Sequence, residues 1–296
     1  MDIAASLSVI ANVMAPVFLV AALGFGWKRA KLPYDSAFIT TFAVNVASPC
    51  LVFSSLTRLT LGGDELLTMT LASVACISLA ALVAAPLLLA FRLPLRTYLP
   101  ALSFPNAGNL GLPLCLFAFG ETGLGLGVLF FAVFSVAQFI LGPVLASGTF
   151  DLGRLARTPV LYAVAAALLV LGTGATLPQW VANTTTLLGN CAVPIMLLSL
   201  GVALASLRMH SLPRAVALSA LRLVLGLGAG LLVAEAMGLT GTMRGVAVLQ
   251  SSMPVAVFNY LWALRYNNAP EEVAGMVLGS TVLAFLGLPA LLVVLL

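Results

Sequence analysis

Charge is scarce in this sequence. Asp, Glu, Lys and Arg make up 7% of its 296 residues, against about 25% in soluble proteins. So few charges cannot cover a water-facing surface, which excludes a soluble globular domain. Histidine occurs once, at His210, between apolar runs, where it reads as a solvated loop residue. There is no Ser-His pair, no pair of intramembrane aspartates and no zinc-binding His/Glu motif, so an intramembrane enzyme is not expected. No GxxxxGK phosphate loop is present, so the chain does not hydrolyse ATP itself. The four cysteines, Cys50, Cys76, Cys115 and Cys191, all fall inside apolar segments, with no two at ligand spacing. They form neither a disulfide framework nor a metal cluster and read as small packing residues. The net charge of +4 is scattered through short loops rather than clustered, so no nucleic-acid partner is expected. No metal or cofactor is expected either.

What the sequence has is apolar length: 62% of residues are hydrophobic. A spanning helix needs about 20 largely apolar residues. Ten candidate spans follow: about 8–26, 36–57, 66–91, 98–119 and 122–147 in the first half, and about 158–176, 181–206, 212–236, 243–264 and 271–295 in the second. The opening stretch lacks the basic start of a signal peptide and is long enough to span, so it reads as a retained first helix. The expectation is an all-α polytopic membrane protein. Loops after spans 1, 3, 5, 7 and 9 hold Lys28, Arg29, Lys31, Arg92, Arg96, Arg154, Arg157, Arg208, Arg214 and Arg265, whereas the opposite side holds only Arg58 and Arg244. Basic loops stay in the cytoplasm, which predicts both termini outside.

The two halves look related. Pro16-Val17 corresponds to Pro159-Val160 at an offset of 143, and Asn45 and Pro49 to Asn190 and Pro194 at 145. Pro113 matches Pro254 at 141, and Pro143 matches Pro289 at 146. Five spans per half is odd, so the second repeat enters the membrane inverted, as in many secondary transporters. The repeats are read as residues 1–150 and 151–296, with DLGRLAR at 151–157 as the boundary.

Span 4 carries SFPNAGNLGLP at 103–113 and span 9 carries LQSSMPVAVFN at 249–259. Proline removes an amide donor and glycine relaxes the backbone, so both spans are expected to unwind. Exposed backbone is not tolerated in lipid, so such breaks survive only where protein or a watery cavity satisfies them. Asn106, Asn109, Gln250, Ser251 and Ser252 supply polar side chains there. Pro113 and Pro254 are placed to start second half-helices, whose N-terminal ends carry partial positive charge and free amides. No Asp or Glu lies in either break. The site suits a small anion, and its candidate residues are Asn106, Asn109, Gly111, Pro113, Gln250, Ser251, Ser252, Met253 and Pro254.

NAGNLGLPL at 106–114 resembles the span-4 motif of the auxin efflux carrier family, which includes bacterial organic-acid carriers. The stretch from Met253 to Pro289, with proline after polar residues, Tyr266-Asn267 before an acidic turn and a late Leu288-Pro289, is similar to the family's last two spans. The resemblance covers the full chain. It implies ten spans in two inverted repeats, a scaffold of spans 1, 2, 6 and 7, often dimeric, and a moving domain of spans 3–5 and 8–10. Spans 4 and 9 would cross at the substrate, with Asn106 as a substrate contact and Pro113 and Pro254 as the crossover prolines. Plant members carry a long loop between halves. The short one here resembles bacterial members, some of which carry malonate or malate, and implies a bacterial inner membrane. The expected function is a secondary carrier or uniporter of a small organic carboxylate, moving by an elevator-like alternation. The alternative is a sodium-coupled organic-anion symporter of the bile-acid type.

Asn45 and Asn190 either line the scaffold side of the substrate path or hydrogen-bond a carbonyl freed by the following proline. Arg222 lies about 12 Å deeper in span 8 than Arg214, where it either acts on the anion or snorkels to the cytoplasm. Glu235 reads as an outer-interface residue. Glu121, Glu271 and Glu272 sit where acidic side chains suit helix N-termini.

Overall fold

A computed structural model describes residues 3–58, 62–147, 159–206 and 212–295. The repeat boundary at 151–157, with Arg154 and Arg157, lies outside them, as do Arg208 and His210. All regular structure among the described residues is helical. The elements are α1 (Ile3–Arg29), α2 (Ser36–Phe42), α3 (Ser48–Thr57), α4 (Gly63–Ala90), α5 (Leu95–Ser103), α6 (Leu112–Ser147) and α7 (Pro159–Thr173). The chain continues with α8 (Gln179–Asn190), α9 (Ala192–Ser206), α10 (Leu212–Ala236), α11 (Gly241–Ser251), α12 (Val257–Tyr266) and α13 (Pro270–Leu295). Two π-helical turns, Ala43–Ala47 and Ala107–Gly111, join α2 to α3 and lead into α6. Seven helical stretches are long and apolar enough to cross a membrane by length and composition. Their large apolar residues face outward as well as inward: Leu82 and Leu286 are 71% and 74% exposed. That is the pattern of a surface solvated by lipid.

Seven is fewer than the ten spans read from the sequence, and local chemistry explains the difference. The expected span 6 appears as α7, only 15 residues long. Span 9 is divided between α11 and α12, of 11 and 10 residues. Spans 4 and 5 share α6, whose winding is interrupted at Gly120 with φ 66° and ψ −158°. Glycine reaches that region without a Cβ penalty. Beyond it the chain folds back: a Cβ on Gly127 would lie 3.1 Å from the side chain of Cys115, twelve residues earlier. In a straight helix those residues would be about 18 Å apart. α6 is therefore a hairpin of two arms.

Prolines mark the other interruptions. Pro49 has no amide to offer the carbonyl four residues back, and the helix widens there into the π turn Ala43–Ala47. Pro194 stands in the same relation to Asn190, where α8 gives way to α9.

Packing sorts the helices into two groups. α1 packs on α9, and α3 packs on α7 and α8. α10 packs on α4, α11 and α13, while α6 joins α11 to α4 and also touches α3. The α1–α9 contact is backbone to backbone. A Cβ on Gly201 would meet the Ala21 carbonyl oxygen at 1.9 Å, and one on Gly24 would meet the Leu198 oxygen at 2.1 Å. Small residues permit such approach, which supplies the dispersion contacts that hold membrane helices together where no hydrophobic effect can.

Gly201→Ala should lower stability by about 1–3 kcal/mol, because the methyl meets backbone that cannot yield. Gly172→Ala, with open space around it, should be neutral or stabilising. Thermal melting of both variants in detergent checks the contrast.

Candidate functional site

The two breaks anticipated at 103–113 and 249–259 meet. After α5 ends at Ser103 the backbone extends through Phe104 (φ −101°, ψ 106°). After α11 ends at Ser251 it extends again by Ala256 (φ −64°, ψ 137°). The extended segments run antiparallel and pair at Pro105 and Val255. The Asn106 amide donates to the Pro254 carbonyl at 2.7 Å, and the Ala256 amide donates to the Phe104 carbonyl at 3.2 Å. Pro105 has no amide to place. The Val255 amide, pointing away from the pair, donates to Ser280 Oγ on α13 at 3.0 Å. Asn259 Nδ2 gives Phe104 O a second bond at 3.2 Å. Each break thus satisfies part of the other's backbone, and neighbouring side chains take more of it, as the lipid interior requires.

Arg222 closes the junction from behind. Its side chain is 1% exposed, so it does not snorkel. It donates to Leu102 O at 2.9 Å and to Ser251 O at 2.8 Å. These are carbonyls at the C-terminal ends of α5 and α11, where backbone acceptors lack intrahelical partners. Among the described residues no carboxylate pairs with it, whereas Arg214 pairs with Glu272 at 3.0 Å.

A cavity of about 330 Å³ lies on the front of the junction. One wall is Pro105, Asn106, Gly108 and Asn109 with Phe131, Phe134, Ser135 and Gln138 of α6, and the start of α12 from Ala256 to Phe258 with Tyr260. The opposite wall is Ser36 and Thr40 of α2, Ser48 of α3, and Met196, Ser199 and Ser206 of α9. Tyr34, bonded to Ser199 at 2.9 Å, stands at the end carrying the basic loop 28–31. No charged side chain lines the space. Two helical N-termini border it, the turn after Asn106 and the start of α12, and neither has a side-chain cap. Their first amides have no intrahelical acceptor and their ends carry partial positive charge. Asn106 is 3% exposed and its Nδ2 is buried without a partner.

The profile of the membrane transport protein family matches residues 9–146 and 143–292. The chain belongs to the auxin efflux carrier family of membrane transport proteins. It is 28% identical over 280 residues, 88% of this chain and 89% of the relative, to an uncharacterised transporter of Methanothermobacter thermautotrophicus. Membership makes this a multi-pass membrane transporter.

On this family member the sequence-predicted residues divide. Asn106 and Asn109 line the cavity. Gln250 is fully buried behind it, donating to Gly127 O at 3.3 Å. Its Oε1 lies where a Cβ on Gly111 would stand. Ser251 and Ser252 donate back to the carbonyls of Ala247 and Val248, four residues earlier. Met253, Pro254 and Pro113 are buried without lining the cavity. Neither proline begins a half-helix. Winding starts ahead of Pro113, at Ala107, and after Pro254, at Val257, because the pairing of Pro105 with Val255 keeps residues 253–256 out of helix. Asn45 and Asn190 are exposed and do not reach the cavity. Asn190 borders a second cavity of about 520 Å³ with Ser54, Arg58 and Glu121, at the other ends of the same helices.

Sequence reasoning passed over Tyr34, Ser135, Gln138, Ser199 and the bracing residue Ser280. The available signal was an uncharged polar side chain inside an apolar run, most visible for Gln138, which bonds Asn259 at 3.4 Å.

Ser280→Ala should orphan the Val255 amide in a dry junction and cost about 1–3 kcal/mol. A melting temperature equal to the native value would show that the amide finds another acceptor.

Proposed function

We propose that this protein is a secondary carrier or uniporter of a small organic carboxylate, malonate- or malate-like or auxin-like, and not an enzyme. One observation carries the reading: Asn106, whose buried amide has no partner, borders a cavity lined only by uncharged side chains, beside two uncapped helix N-termini. Donors fixed by backbone suit a carboxylate, and no acidic side chain repels one. A volume near 330 Å³ suits a small solute, and Phe131, Phe134 and Tyr260 accommodate its hydrocarbon part.

The two cavities support alternating access. Both lie between the same helix groups, one beside Ser36 to Ser48 and Ser199 to Ser206, the other beside Leu51 to Arg58 and Gly189 to Pro194. In this reading α1–α3 and α7–α9 are the scaffold, through which two copies pair. α4–α6 and α10–α13 form the moving part, and the halves are inverted five-span repeats, ten spans in all, with spans 4 and 9 crossing at the junction. The basic loops face the cytoplasm of a bacterial inner membrane, both termini lie outside, and the 330 Å³ cavity faces inward. Substrate binds at Asn106 and Asn109, and the moving group carries it past the scaffold. An inside-negative potential, worth about 2.3 kcal/mol per charge per 100 mV, drives an anion outward.

Counterflow of labelled malonate in proteoliposomes tests this. Native protein should take it up, and Asn106→Ala should weaken apparent affinity about tenfold, the worth of one hydrogen bond near 1.4 kcal/mol, with its melting temperature retained. Normal affinity in a well-folded variant would remove Asn106 from the site.

A further inference from the structure

Arg222 does something that anion binding in the front cavity does not require. The C-terminal ends of α5 and α11 converge on the back of the junction, and their carbonyls at Leu102 and Ser251 point at one place. Converging helix C-termini are a cation site: their oxygens are unpaired and their dipoles negative. Broken-helix carriers use such oxygens to hold the ion that drives them. Here a guanidinium fills the place, reaching from α10 across to both helices. The space left beside it is about 10 Å³, bordered by Cys76, Ile77, Ser103 and Ser251. The unpartnered Arg222 Nε and Ser103 Oγ both belong to that small pocket. A metal ion there would meet a positive charge and no acidic side chain.

We infer that Arg222 is the resident cation of the junction, standing where a coupling metal ion would otherwise bind, so that this carrier moves its anion without sodium. The same charge reaches the substrate side. Pro105 borders both this pocket and the front cavity, so one residue separates an uncompensated positive charge from the place proposed for the carboxylate. Arg222 is thus a positioning residue: it acts by holding two helix ends together and by its field, without touching the solute. This inference rests on the carrier reading above for its transport consequence alone.

The test uses the full-length protein in two assays. In detergent, Arg222→Ala should melt about 5 °C or more below native, because two buried carbonyls lose their donor. Millimolar guanidinium should restore much of the loss, while urea, similar in shape but neutral, should not. Arg222→Lys should be more stable than Arg222→Gln, and this pair decides the matter if the alanine variant does not fold. In proteoliposomes, replacing sodium by choline should leave native malonate counterflow unchanged, where a coupled cation would move it about fivefold or more. Native transport that needs sodium would overturn the inference. So would an alanine variant that melts like native or is rescued equally by urea, or a glutamine variant as stable as the lysine one. If native protein moves no malonate in either medium, the carrier reading for malonate fails, while the melting arms still decide whether Arg222 is a seated cation.

Discussion

A broken helix inside a bilayer has backbone groups that lipid cannot satisfy, and this constraint organises the structure. The protein meets it by breaking two helices at one place and pairing the breaks. Two backbone bonds join residues 104–106 to 254–256. What remains goes to single side chains from neighbouring elements: Ser280 takes the Val255 amide, Asn259 a second bond at Phe104 O, and Arg222 two helix-end carbonyls. Removing any of these donors or acceptors leaves a polar group in a dry interior, which is why the polar side chains of this region are buried.

The junction separates charge by helix direction. Acceptors gather at the back, where α5 and α11 end, and a cation lies among them. Two helical N-termini without side-chain caps lie at the front, where the turn after Asn106 and α12 begin, beside the buried and unpartnered Asn106 Nδ2. The positive ends of two helix dipoles face the front, and no charged side chain lines it. On the reading proposed above, such a site would favour an anion through backbone dipoles held by packing, without a strong counter-charge that would slow its release.

Around the junction, two kinds of packing differ in consequence. α1 and α9 touch through backbone at Gly24 and Gly201, a contact with little freedom to slide. The faces that line the two cavities, along α2–α3 and α8–α9 against α6, are separated by open volume at both ends. In the proposed alternation, the first contact would hold the scaffold together and the second faces would move past one another.

The sequence by itself determined the membrane class, since 7% charge leaves no other solvent. It also determined the location of both breaks, because proline and glycine act on the backbone wherever they fall, and the π turn before Pro49 and the fold-back at Gly120 follow from the same local rules. The family signature at 106–114 was equally local. Tertiary structure decided what each polar residue does. Asn106 and Asn109 reach the cavity, while Gln250, Ser251 and Ser252, as polar and as close to a break, turn into packing or back onto their own helix. Spacing along one chain cannot distinguish these, because the difference lies in what the opposite break presents. Arg222 shows the same limit. As a sequence position it is an arginine inside a span, able to snorkel or to act on an anion. Only the convergence of two helix ends, 120 residues upstream and 29 downstream of it, gives its charge a place to reside.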